Sequence, residues 1–173
     1  LQDDAISYSD IVVDLSEPNP GPADVIINDT VIWNNTNIVI VGNLIIDEGG
    51  NLTLINTTLS IYCGANCEFQ VRVRSGGVLS ILNSTITSYD PNYKFYLVAE
   101  ENSEIRIENS TIINCGFDDF RPGPVILTRN ATLKNVEIND NYYGLVLLNA
   151  SANVTSLTLN NSSGIIALNS LII

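Results

Sequence analysis

Residues 49–61 read GGNLTLINTTLSI, and residues 76–88 read GGVLSILNSTITS. In both, apolar and polar residues alternate, an Asn interrupts them, and the alternation then resumes. Alternation at period two marks a strand with one buried face. The Asn break suits a corner, because a short amide side chain tolerates left-handed backbone. Asn56 therefore aligns with Asn83. The frame returns around Asn109 (102–112), Asn135 (131–138) and Ser156 (153–159), at successive steps of 27, 26, 26 and 21 residues. The stretch 143–151 matches 163–170 at a step of 20.

Steps of this size in a strand-rich chain predict a solenoid. Leucine-rich repeats need a longer consensus and a helical return, and propeller blades need about 40 residues. Three short strands and three corners per turn fit, which is a parallel β-helix. Strands one coil apart then pair ~4.8 Å from each other. Leu54, Ile81, Ile107 and Leu133 fall at equivalent positions and are expected to share one interior file. Asn56, Asn83, Asn109 and Asn135 are expected to form an amide ladder at one corner. The longer connections, 89–93 and 115–124, are expected at a single corner, where length varies without disturbing the files.

The division along the chain follows. Residues 31–46 supply the first coil, and Pro18-Asn19-Pro20-Gly21-Pro22 is a stiff turn before it. Residues 1–24 are read as an extended N-terminal arm with one strand at Ile11-Val12-Val13, and residues 25–173 as an all-β, right-handed parallel β-helix of about six coils. The opening Leu1-Gln2-Asp3-Asp4 reads as a mature end left by processing.

Composition agrees and excludes several classes. Of the 173 residues, 45% are hydrophobic and 15% charged, which argues against disorder. Good helix formers are scarce beside Ile, Val, Leu, Thr and Asn. No apolar run reaches the ~18 residues of a membrane span. The net charge is −12, with five Arg and two Lys, so no cationic patch exists to neutralise the phosphates of a nucleic acid.

Asn-X-Ser/Thr acceptor triplets begin at Asn28, Asn34, Asn51, Asn56, Asn83, Asn109, Asn130, Asn149, Asn153, Asn160 and Asn161. Their number points to an extracellular, N-glycosylated protein. The alternative is that these Asn serve turns and ladders. Cys63 and Cys67 flank a tight loop and are expected to form a local disulfide. Cys115 is left over, as a buried thiol or an intermolecular bridge.

With these residues in hand, 31–61, including GNLIIDEGGNLTLINTTLSI, resembles the opening of right-handed parallel β-helix domains in archaeal, especially methanogen, cell-surface proteins. The general shape is that of the pectate-lyase-like superfamily, over residues 31–173. The resemblance implies fold and surface location more than activity, since that superfamily spans lyases, hydrolases, adhesins and S-layer or sheath components.

Catalysis is not expected. The chain has no His, and its best acidic pair, Asp118-Asp119 beside Arg121, sits in a loop between two Phe, with Asp140 about one coil on. Arg106 and Glu108 read as a surface pair, and Asp47-Glu48 as an exposed corner with weak Ca²⁺ binding as a lesser use. No catalytic, metal or cofactor residue is assigned; covalent glycans are the only non-protein component expected. Aromatic loops carrying Tyr89, Tyr93, Phe117, Phe120, Tyr142 and Tyr143 offer a route to a surface polysaccharide.

The ends carry the functional expectation. The chain closes on Leu171-Ile172-Ile173 without charge, Pro or a capping helix. Either further coils or an anchor follow, or these residues stack on a neighbour, whose Ile11-Val12-Val13 could add a strand. A head-to-tail contact of that kind extends without closing. The chain is thus read as a structural subunit of a filament, sheath or S-layer, with itself as partner. A carbohydrate-binding or adhesive domain is the alternative, and a polysaccharide lyase a more distant one.

Overall fold

The structure is a computed structural model that describes residues 23–173. Among these residues there are seventeen strands and no helix. Every named strand pairing is parallel. The strands build three walls. The first is a seven-stranded sheet of β1 (Val25–Ile27), β4 (Leu44–Ile46), β7 (Gln70–Val73), β10 (Tyr96–Ala99), β12 (Pro124–Ile126), β14 (Leu145–Leu148) and β16 (Ile165–Leu168), in that order. The second wall runs β2 (Thr30–Asn34), β5 (Asn51–Ile55), β8 (Val78–Leu82), then the first halves of β11 (Glu104–Ile113), β13 (Ala131–Asn139) and β15 (Ser151–Asn160), and ends on β17 (Leu171–Ile172). The third is β3 (Asn37–Ile40), β6 (Thr58–Ile61) and β9 (Thr85–Ser88), continued by the second halves of β11 and β13 against those of β13 and β15. Walls two and three therefore form one curled ten-stranded sheet, folded along a line of asparagines.

The expected interior file is present. Trp33 pairs with Leu54, Leu54 with Ile81, Ile81 with Ile107, Ile107 with Leu133, and Leu133 with Val154. Leu54, Ile81, Ile107 and Leu133 are all buried. A parallel file of this type brings the same face of each strand onto the same core, which is why period-two alternation persists from rung to rung. The step shortens from 27 residues (Leu54 to Ile81) to 21 (Leu133 to Val154) without breaking the register, because the difference is taken up in the corners.

The line of asparagines has a backbone cause. Asn35, Asn56, Asn83, Asn109, Asn135 and Ser156 all have φ between 48° and 60°. Each turns the chain out of wall two into wall three through a single left-handed residue, the conformation Asn adopts at least cost after Gly. The amides bond along the line where Asn56 Nδ2 donates to Asn35 Oδ1 (3.2 Å) and Asn135 Nδ2 to Asn109 Oδ1 (2.9 Å).

A second line lies one residue further on and inside. The Thr57 N–H donates to Ser84 Oγ at 3.0 Å, and the Ser84 N–H donates to Ser110 Oγ at 3.0 Å. These three residues are buried. Their hydroxyls satisfy backbone amides that the sharp bend would otherwise strand in the core. Corner chemistry therefore writes Asn, then an inward Ser/Thr, then an outward Thr at 56–58, 83–85 and 109–111.

At the corner between walls one and two, the paired glycines serve close approach. A Cβ on Gly50 would lie 2.1 Å from the Ile27 carbonyl oxygen, and one on Gly77 2.7 Å from that of Ile46. One element was not expected: β1, which adds Val25–Ile27 to β4 before the first anticipated coil.

Candidate functional site: two end rungs and an aromatic corner

Exposed large apolar side chains fall in three places only, among the described residues. Ile26 and Ile32 lie on the first rung. Ile165, Leu168, Leu171, Ile172 and Ile173 lie on the last. The remainder, Tyr62, Tyr89, Phe117, Phe120 and Tyr142, lie between them. The end groups are all aliphatic and the intermediate group all aromatic.

The last rung is built by β16 on β14 and by β17 on β15. The Ile173 N–H donates to the Ala152 carbonyl at 3.0 Å, so the terminal tripeptide lies in sheet register. Leu171 is 57% exposed, Ile172 43% and Ile173 68%. Of the expected assembly contacts, these three are exposed; Ile11, Val12 and Val13 lie outside the described residues. At the other end Ile26 is 54% and Ile32 49% exposed.

The aromatic residues share one corner. Residues 62–69, 89–95, 114–123 and 140–144 all carry the chain from the third wall back to the first. Both long connections lie here, as the pattern predicted. Tyr62 and Tyr89 are on adjacent rungs with ring centroids 5.6 Å apart. In the longest loop, the Phe117 N–H donates to the Arg121 carbonyl at 2.8 Å, and Asp118 Oδ1 accepts from the N–H groups of Phe120 (3.0 Å) and Arg121 (2.8 Å). Arg121 closes on Asp118 at 3.5 Å and donates to the Cys67 carbonyl at 3.3 Å. This tight turn holds Phe120 out at 90% exposure. Beyond it, Tyr142 and Tyr143 meet edge to face at 5.0 Å, and the Tyr143 hydroxyl lies 3.5 Å from Asp119 Oδ1. Asp119 also raises the pKa of the Tyr142 hydroxyl, chiefly by its negative charge. Tyr93 instead packs against the core.

The same corner holds the three cysteines, and here the disulfide expectation is corrected. Cys63 and Cys67 are free thiols, and both are buried. Cys67 has φ 55°, and its Sγ lies 3.7 Å from the Phe95 carbonyl oxygen on the next rung. Burial raises the Cys67 pKa to about 11 and also raises that of Cys63. Cys115 is fully buried, which favours the enclosed thiol of the two options, and desolvation pushes its pKa well up.

The acidic residues singled out in the sequence have the following partners. Asp118 is occupied in its turn, and Lys94 Nζ donates to the Asp140 backbone carbonyl. Arg106 pairs with Glu108 at 3.0 Å on an exposed face, which raises the Arg106 pKa and lowers that of Glu108. Asp47 pairs with Arg74 at 3.2 Å, and no group of three metal-ligating side chains forms among the described residues. No helix of the described residues is long and apolar enough to cross a membrane.

Ten of the eleven acceptor asparagines are exposed, and Asn51 is half-buried. They occupy particular corners. Asn28, Asn51, Asn130 and Asn149 lie where wall one passes into wall two, Asn130 and Asn149 lining a polar cleft of about 260 Å³ with Glu101 and Arg129. Asn34, Asn56, Asn83 and Asn109 lie at the bend between walls two and three, and Asn153 on wall two. Asn160 and Asn161 reach the aromatic corner on the final turn, where their amides bond to Asn139 (2.9 Å) and Asp140 (3.0 Å). The inward hydroxyl line was missed by sequence reasoning; the signal was the Ser/Thr that follows each ladder asparagine. Comparison with known proteins finds no matching family model, no similar curated protein and no similar solved structure.

Proposed function

We propose that the chain is a structural subunit: a right-handed parallel β-helix of about six coils that assembles end to end in an extracellular, N-glycosylated filament, sheath or S-layer of the archaeal cell-surface type. The observation that supports this reading most is the pair of aliphatic end rungs. Ile26 and Ile32 at one end and Leu168, Leu171, Ile172 and Ile173 at the other present apolar side chains beside strands that, among the described residues, are paired on one side. An unpaired strand edge is a template for another chain. Because all pairing is parallel and in register, the last rung of one copy meets the first rung of the next in the same geometry that joins rungs inside it. Such a contact is heterologous and extends without closing.

The test is assembly of the chain at rising concentration, followed by sedimentation velocity and negative-stain microscopy. The chain is expected to form fibres or rings. Ile172→Asp with Ile173→Asp, and separately removal of residues 1–24, are expected to leave monomers. Assembly of both variants like the parent would end the proposal. Glycopeptide mapping of material secreted from an archaeal host tests the second half, with occupied acceptor asparagines as the expected result.

A further inference from the structure

The aromatic corner is not accounted for by end-to-end assembly, and two independent features single it out. The first is segregation: Tyr62, Tyr89, Phe117, Phe120 and Tyr142, from four successive connections, all emerge on this corner and nowhere else between the end rungs. The second concerns its asparagines. Asn43, Asn66, Asn92, Asn114 and Asn141 place one Asn in each connection from the first turn to the fifth, yet none begins an acceptor triplet. Acceptor triplets are thereby confined to the other two corners and wall two until Asn160 on the last turn. On the proposed reading, in which those triplets carry glycans, the aromatic corner is the strip they leave bare.

We propose that this strip is a docking surface for an uncharged polysaccharide strand lying parallel to the stack of rungs. The rings supply rigid apolar faces for the C–H faces of sugar rings, and tyrosine adds a hydroxyl at its rim. Asp119 and Asp90, beside Phe120 and Tyr89, supply acceptors for sugar hydroxyls. A protein partner fits less well, because the centre of a protein interface is depleted of charge, whereas here Asp90, Asp118 and Asp119 adjoin the rings. An anionic polymer fits less well still. The strip carries Glu68, Asp90, Asp118, Asp119 and Asp140 against only Lys94 and Arg121, and both cations are already engaged. Like charge across the contact would repel a polyuronate. The tight Asp118–Arg121 turn keeps Phe120 presented without a ligand, so little order has to be imposed on binding.

The experiment measures binding of the chain, held monomeric by Ile172→Asp with Ile173→Asp, to the neutral hexasaccharides of β-1,4-glucan, β-1,4-mannan and α-1,4-glucan by titration calorimetry. Hexagalacturonate is the anionic probe. At least one neutral hexasaccharide is expected to bind, with hexagalacturonate weaker. Phe120→Ala with Tyr142→Ala is expected to weaken that binding at least tenfold while circular dichroism stays unchanged, and Leu168→Asn at the end rung is expected to leave it alone. Absence of binding to all three neutral probes, equal binding by the aromatic variant, or preference for hexagalacturonate each overturns the proposal. Because the chain is tested as a monomer, failure here leaves the assembly reading standing.

Discussion

Replacing Asn109 separates the two reasons for its presence. It has φ 48°, and its Oδ1 accepts from Asn135 Nδ2 at 2.9 Å on an exposed surface. Asn109→Ala removes the amide bond, worth about 0.5–1.5 kcal/mol. It also places a Cβ-bearing residue in left-handed backbone without a compensating side chain, costing roughly 1–2 kcal/mol. The expected loss is thus about 1.5–3.5 kcal/mol. Asn109→Gly loses the same bond but not the steric term, against which glycine's extra chain entropy weighs about 0.5–1 kcal/mol. Glycine is therefore expected to be the more stable of the two by several tenths of a kcal/mol or more. At Arg106, inside strand β11, the order is expected to reverse, because glycine weakens an ordinary strand position. Urea unfolding of the monomeric variants, read as midpoint times slope, measures all four. An alanine variant at 109 as stable as the glycine variant would refute the account of the asparagine line as a row of left-handed corners.

Two further outcomes test the interior. Ser84→Ala removes the acceptor for the buried Thr57 N–H and is expected to cost about 1–3 kcal/mol in the same assay, while Ser80→Ala on the outward side of β8 changes stability by no more than ~0.5 kcal/mol. Alkali is expected to destabilise the protein through Cys67, whose pKa is raised by burial from 9.0 to about 11. The unfolded thiol loses its proton first, so this contribution is complete below pH 9 and disappears as the pH climbs through about 11, a total of roughly 3 kcal/mol. In Cys67→Ser the fall in stability between those pH values is expected to be correspondingly smaller; an unchanged profile would show that the thiol is not held neutral by the fold.

The period was legible because one face of every strand meets the same core. Leu54, Ile81, Ile107 and Leu133 could be placed in one file from alternation alone, and the asparagine between the two alternating runs marked the bend. The varying steps were also readable, since insertions gather where no file runs. What escaped was direction. Sequence spacing puts Cys63 and Cys67 within reach of each other but says nothing of the left-handed turn at Cys67, whose sulfur lies beside the Phe95 carbonyl. The inward hydroxyls escaped for a related reason: a Ser or Thr after a ladder asparagine looks like an outward strand residue until the bend rotates it. Strand β1 was hidden because Val25–Ile27 has too few residues to show a period.

The bend also alters what an acceptor triplet means in this chain. An Asn for the corner, a hydroxyl for the stranded amide and a Thr for the next pleat spell Asn-Ser/Thr-Thr at 56, 83 and 109 whether or not any enzyme ever reads it. The same three-letter text thus serves carpentry and address label at once. A lineage building such walls acquires attachment points without selecting for them, and would have to spend mutations to erase the ones it does not want.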